Sequence, residues 1–475
     1  MIRHSGRLLT ALLMLLLAGA PLPFGGVTPW AEALIRGVCF AALAVAAAAL
    51  ESPAALRPSA APAAALAAMA LLGLLQAAPL PAGFVAALSP EHARLERQAA
   101  QLTAAAEPAR LTLAAAASRS AAVGWAAAAA IFLAAAVVGR RREQRRWLAG
   151  AMVAAGLFEV FFGAHDWFAR AHTLWGVELP ATAIRMRGTF VNPNHLAVYL
   201  EMVLPVVFAW GWWAARRAWA QPHVERRILM VAPPVMLWLT LFAGLSFTGS
   251  RGGLLAAVAA VTVQGVLAAR LRGRWWLAPL GAVAALAGLA VVAAVGWREG
   301  LGRLLATSAA DVSWGARLRE YGAVLELWRR FPVTGCGLGT FRDAFPLVQT
   351  PDLQGTWWHP HSDLLEVLAT AGIAGVLLLG AGLIALLRRL AVVLAQGFRS
   401  EDRAAALAAF GALVSLALHE AMDFGLTMPG NAVTLAVVLG AASAARRSAQ
   451  LDRAREDLTA VEALELQDVK PAAHG

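Results

Sequence analysis

The chain has 475 residues, of which 60% are hydrophobic and only 15% charged, whereas soluble domains run at about 45–50% apolar and about 25% charged. A mean hydropathy of +0.64 excludes a cytosolic enzyme and a disordered protein, and two cysteines, Cys39 and Cys336, exclude a disulfide framework and a cysteine metal site. The formal net charge of +11 reads as the arginine excess that orients a membrane protein, with no nucleic-acid partner.

About 20 apolar residues in a helix cross about 30 Å of hydrocarbon. Taken in chain order, twelve runs qualify: 8–24, 30–50, 61–78, 121–139, 147–163, 195–214, 228–248, 252–270, 275–296, 364–387, 404–421 and 431–445. The first ends in Leu17-Ala18-Gly19-Ala20, which resembles a signal-peptide cleavage site. Because eleven further runs follow, it is read as an uncleaved helix. With the N-terminus inside, the short inner loops hold the arginine clusters, among them Arg140-Arg141-Arg142, Arg216-Arg217 and Arg388-Arg389, so both termini face the cytoplasm. The expected fold is all-α: a polytopic inner-membrane protein of about twelve transmembrane helices.

Three outer segments exceed a tight connection. Residues 79–120 carry a polar stretch from Glu91 to Gln101 of helical character, 164–194 hold Trp167 and Trp175, and 297–363 form the largest loop, partly helical and periplasmic. Long loops that are not disordered in composition are usually functional. The organisation read here is a membrane domain over 1–445 and a charged cytoplasmic tail over 446–475.

Arg251 stands in Thr248-Gly249-Ser250-Arg251-Gly252-Gly253, between two apolar runs that leave almost no loop. Flanking glycines allow backbone near a ligand, and a helix start plus a guanidinium suits a phosphate; the plain alternative is an interfacial Arg that snorkels to headgroups. In the large loop, Arg317 and Arg319 precede Tyr321, with Leu318, Tyr321, Leu325 and Trp328 as the expected apolar helix face. Gly335-Cys336-Gly337-Leu338-Gly339 follows, expected to be a compact turn that seats Phe341 and Phe345. His359-Pro360-His361-Ser362-Asp363 closes the loop. Pro360 and the lack of nearby Cys argue against zinc. The alternatives are a His pair bonded to backbone or His361 as general base, at a helix start that Ser362 or Asp363 can cap; we favour the base. Arg187 to His195 precedes the sixth run, its Asn residues able to serve as turn formers or a cap. His419, Glu420 and Asp423 end the eleventh run, where pairing with an arginine competes with catalysis.

These segments together resemble the O-antigen ligase and polymerase superfamily of bacterial envelope proteins, over about residues 70–445 with a core at about 180–440. The pieces are Pro79-Leu80-Pro81 with Leu88-Ser89-Pro90, Gly188 to His195, Ser250-Arg251-Gly252-Gly253, Pro332 to Phe341, and the Asp423 to Asn431 turn. The most specific is a ligase-type signature, His361-Ser362, nine residues, then Gly372-Ile373-Ala374-Gly375.

The resemblance implies transfer of a preassembled glycan from an undecaprenyl diphosphate carrier to an acceptor hydroxyl, such as lipid A–core, at the periplasmic face of the inner membrane. It implies no cofactor and no metal. His361 would be the base, and Arg251 and Arg317 would hold the diphosphate. Arg319, Arg187, Asn194, His359 and Tyr321 are the expected substrate-binding residues. Where the family often has Trp or Leu four residues after the loop Arg, this chain has Tyr321, which leaves Arg319 able to share the role. A polymerase extending carrier-linked repeats is the alternative within the same chemistry. A lipid-linked-glycan transporter would instead place its polar residues near the midplane, in paired broken helices.

Overall fold

The computed structural model describes residues 2–50, 52–103, 108–170, 173–178, 185–271, 312–396 and 399–445. They form an all-helical protein. A two-stranded hairpin, β1 (Thr173–Leu174) with β2 (Val177–Glu178), is the sole sheet among them. Nine of the described helices are long and apolar enough to cross a membrane, and two shorter apolar ones, His4–Gly19 and Pro429–Ser443, accompany them. These match eleven of the twelve expected runs. The run at 275–296, the first part of the large loop and the tail at 446–475 lie outside the described residues.

In chain order the helices are α1 (Ile2–Gly19), α2 (Pro29–Ala49), α3 (Arg57–Ala77), α4 (Ala82–Leu88), α5 (Pro90–Thr103), α6 (Ala115–Gly139) and α7 (Arg142–Phe168). They continue with α8 (Pro193–Ala218), α9 (Val224–Phe247), α10 (Arg251–Arg270), α11 (Val312–Arg330), α12 (Phe341–Ala344), α13 (Asp363–Ala395), α14 (Ser400–His419) and α15 (Pro429–Ser443). The polar stretch after Glu91 is helical as expected, in α5.

The centre of the bundle is α8, packed by α9, α10 and α14. Its first half, residues 195–205, is buried throughout and largely apolar, the pattern of a core helix; Leu196, Tyr199, Leu200 and Val203 have no exposure. Pro205 inside it removes one backbone donor and frees the carbonyl one turn back. In a membrane such a carbonyl must find a partner within the protein. Ser415 Oγ of α14 donates to the Glu201 carbonyl at 3.2 Å, and Gln264 Nε2 of α10 donates to the Pro205 and Leu407 carbonyls at 3.1 and 2.9 Å. The proline break thereby ties three helices together.

Helix ends sort to two poles. One gathers the start of α7, the end of α8 and the start of α14: Arg145 pairs with buried Asp402, Arg146 reaches Glu401 at 2.6 Å, and Arg146 and Arg217 lie over the Trp213 ring at 5.4 and 5.0 Å. The other gathers the starts of α8, α10 and α13 and the end of α14. The 26 residues of α8 at 1.5 Å each separate the poles by about 39 Å.

Above the second pole, α11 packs on α13 and carries its own small core. Its buried stripe is Glu320, Val324, Leu327 and Phe331, whereas Leu318 is 53% exposed. The apolar face expected at Leu318, Tyr321, Leu325 and Trp328 is therefore rotated by about one residue. Val324, Leu327 and Phe331 join Phe341 and Phe345 in one cluster, and that packing outweighs the alternative stripe. The glycine-rich turn does seat Phe341 and Phe345, whose ring centroids are 5.0 Å apart.

The orientation expected from the arginine pattern would make the second pole the outer one. In a Cys39→Ala, Cys336→Ala background, an impermeant maleimide added outside should label Thr350→Cys and not Ala220→Cys. The reverse pattern would place His361 on the inner face.

Candidate functional site

Gly372 sets the backbone of the site. It breaks α13 with φ 61° and ψ −163°, a conformation glycine adopts without strain. The break admits the Pro332–Gly337 turn: Ile373 N–H donates to the Pro332 carbonyl at 2.9 Å, Ala374 N–H to that of Val333 at 3.0 Å, and Cys336 N–H to that of Ala369 at 2.9 Å. A Cβ on Gly372 would strike the Val333 carbonyl. Gln76, from the apolar α3, completes the seam. Its Nε2 donates to the Thr334 carbonyl at 2.6 Å, and its Oε1 accepts from Leu338 N–H at 2.9 Å. The seam fixes the loop that precedes α13, and with it the position of the two histidines.

Ser362 caps α13, its Oγ accepting from Leu365 N–H at 3.3 Å, as the sequence suggested. His361 just before it is held by Glu320 of α11. Glu320 Oε1 accepts from the His361 N–H at 3.1 Å, and Oε2 lies 2.9 Å from Nδ1. The Glu320 side chain has no exposure, while that of His361 is 31% exposed. Trp357 and Phe424 meet the imidazole edge-on at 5.6 and 5.5 Å. Tyr321 donates to the His361 carbonyl at 2.6 Å; burial pushes its phenol up to about 12, against the opposing pull of Arg317. A carboxylate on Nδ1–H fixes the tautomer that leaves Nε2 as the basic nitrogen.

A second set of groups surrounds Asp423. Asn194 Nδ2 donates to Asp423 Oδ2 at 2.5 Å, and Arg317 Nη2 stands 3.7 Å from the same oxygen. Arg185 holds Asn194 in turn, Nη2 to Oδ1 at 2.6 Å. Burial would raise the Asp423 pKa, but His419, Arg317 and His195 outweigh it and hold the carboxyl below its ordinary value. A depressed value means stability present above the ordinary carboxylate range and lost as pH falls through the depressed one. Its neighbour Glu420 is pushed the other way, by burial and by Asp363.

Of the residues singled out in the sequence, the structure brings Arg317, Tyr321, Asn194, His359 and His361 to one place. His359 stacks on Phe424 at 5.3 Å and lies 3.0 Å from Glu366; burial lowers its pKa, but Glu366 outweighs that and leaves it raised. Arg251 opens α10 at the same pole, behind the tight turn of Gly249 (φ 62°). Arg319 points away, bound to exposed Asp352 at 2.7 Å. Arg187 is 4% exposed, the charge it responds to is Asp166, and its Nη1 and Nη2 have no hydrogen-bond partner among the described residues. Asn192 proves to be the cap of α8, accepting from Asn194 N–H at 2.9 Å.

Glu320 and Gln76 were missed in the sequence. Glu320 lies off the apolar face expected for that helix, and Gln76 is one amide at the end of an apolar run. A polar residue inside such a run is a signal to look for its partner.

The arrangement can accept a proton on a histidine fixed by a buried carboxylate, beside arginines able to hold an anion. No curated protein matches the chain. Residues 235–380 match the O-antigen ligase family model, a stretch that includes the α10 turn, the Glu320–His361 contact and the Gly372 break. Over that stretch the chain is similar to the O-antigen ligase family, and its many long apolar helices support a multi-pass membrane protein.

Proposed function

We propose that the protein is a metal-independent membrane glycosyltransferase of the ligase type, with its core at about 180–440 and its active site on the periplasmic side of the inner membrane. It moves a glycan from an undecaprenyl diphosphate carrier to the hydroxyl of a distinct acceptor such as lipid A–core. The observation that carries this reading is the Glu320–His361 couple beside the Arg317–Asp423–Asn194 set, at one pole of an apolar bundle.

In this reading His361 Nε2 takes the proton of the acceptor hydroxyl as its oxygen attacks the anomeric carbon. The anomeric C–O bond to the diphosphate breaks, and the bonding pair leaves with the carrier. Glu320 stabilises the imidazolium that forms. Arg251 and Arg317 meet the charge on the departing diphosphate, where fixed donors are most effective.

Replacement of Arg251 or Arg317 by Ala should abolish transfer while the protein still inserts, and Arg251→Lys should be poorly active because it loses bidentate contact. Full activity in the double Ala variant would end the proposal.

His361→Ala should lose about 10²–10⁴-fold in rate, His359→Ala less, and EDTA should change nothing. Glu320→Gln should also fall by about 10²-fold or more. Glutamine has one acceptor oxygen for the two N–H groups that Glu320 now serves, and its amide would favour the wrong tautomer. Chelator inhibition reversed by a divalent metal would replace this mechanism with a metal-assisted one.

Ligase and polymerase differ only in which hydroxyl approaches the base. Purified protein given one carrier-linked repeat unit and no other acceptor should remain inactive, then transfer when lipid A–core is added. A ladder of longer carrier-linked products would make it a polymerase.

A further inference from the structure

The first turn of α10 rests on buried side chains that the scheme above does not use. Glu201 of α8 and His419 at the end of α14 meet with Oε1 to Nδ1 at 2.7 Å, and His419 Nε2 lies 3.3 Å from Ser250 Oγ. Exposure is 0% for Glu201, 1% for His419 and 2% for Ser250. The order and distances are those of an acid–His–Ser triad. Ser250 is nevertheless no nucleophile: it is buried, and its Oγ accepts from Gly253 N–H at 3.2 Å to cap α10.

The two glycines after Arg251 serve the same contact. A Cβ on Gly252 would lie 2.9 Å from His419 Cδ2, and one on Gly253 would lie 2.7 Å from Glu201 Oε1. Whatever backbone approach to a ligand they allow, they let the helix start approach this pair. Arg251 is thus held on both sides, by Ser250 bonded to the imidazole and by Gly252 packed on it. Asp423 and Arg317 are within electrostatic reach of His419, so the pair also adjoins the other arginine of the site. Apolar residues of the same volume would fill this space without the cost of desolvating a carboxylate, which leaves orientation as the pair's contribution.

We propose that Glu201, His419 and Ser250 form a buried hydrogen-bonded chain that positions Arg251 toward the diphosphate of the lipid-linked donor. The proposal rests on the donor reading above. His419 and Glu201 are positioning residues that act through Arg251 and touch no substrate.

A double-mutant cycle tests it, with rates measured on carrier-linked glycan and acceptor. His419→Ala should cost about tenfold or more in kcat/KM and should divide between KM and kcat as Arg251→Lys does. In the Arg251→Lys background the same change should cost little, because coupled residues are not additive. Glu201→Gln should keep more activity than Glu201→Ala. Fully additive losses would overturn the proposal. If His419→Ala fails to insert, His419→Leu keeps the volume and removes the hydrogen bonds.

A second measurement needs no transfer. With Arg251→Cys, Cys39→Ala and Cys336→Ala, the rate of modification by a charged thiosulfonate should change about fivefold or more when His419 is also replaced, for loss of a buried hydrogen bond. An unchanged rate overturns the positioning role. A changed rate in a protein whose parent form transfers no glycan supports the positioning role and sinks the donor reading alone.

Discussion

A carboxylate without access to water has to be met by donors, and Glu320 finds both of its donors on His361. The bonds fix one residue at two points, its backbone N–H and its ring, so the imidazole can neither rotate nor change tautomer without taking a donor from one oxygen of the buried carboxylate. Leaving a buried acceptor unmet costs about 1–3 kcal/mol, and more when it is charged. The rest of the site follows from this contact. It sets the angle between α11 and the start of α13, brings the Tyr321 hydroxyl to the His361 carbonyl, and leaves Arg317, one turn before Tyr321, within 3.7 Å of Asp423.

The same constraint, that polar groups in an apolar medium must be satisfied within the protein, explains residues that otherwise look unrelated. Gln264 and Ser415 serve carbonyls around the Pro205 break, and Gln76 serves the turn that enters at Gly372. In each case an irregular backbone is matched by a side chain from a different helix. The irregularities are therefore seams between helices, and the seam at Gly372 carries the loop that holds the histidines.

Much of this was legible in the sequence. Apolar runs marked the helices, Asn192 and Ser362 marked helix starts, and the carboxylate after the eleventh run did pair with an arginine. The orientation of α11 was not legible. Its sequence offers two apolar stripes one residue apart, and the choice between them depends on Phe341 and Phe345, which arrive from outside the helix. With the wrong stripe inward, Glu320 reads as an ordinary solvated carboxylate. The Glu201–His419 partnership was hidden for another reason: His419 stood out at the end of its run, but its partner lies on a different helix, 218 positions away.

The two loop arginines differ by two positions, which on a helix places them on different sides, and their counter-ions show what each can do. Arg319 meets Asp352 at 2.7 Å, both about half exposed, so its charge is already spent in a pair that water screens. Arg317 stands 3.7 Å from a carboxylate that Asn194 also serves. That spacing is too long for a hydrogen bond. An incoming phosphate could take the guanidinium without stranding Asp423, because Asn194 and the Phe424 N–H at 3.0 Å remain on it. Asp423 thus stands near Arg317 without a hydrogen bond to it, and in the donor reading proposed above a diphosphate would take those guanidinium donors.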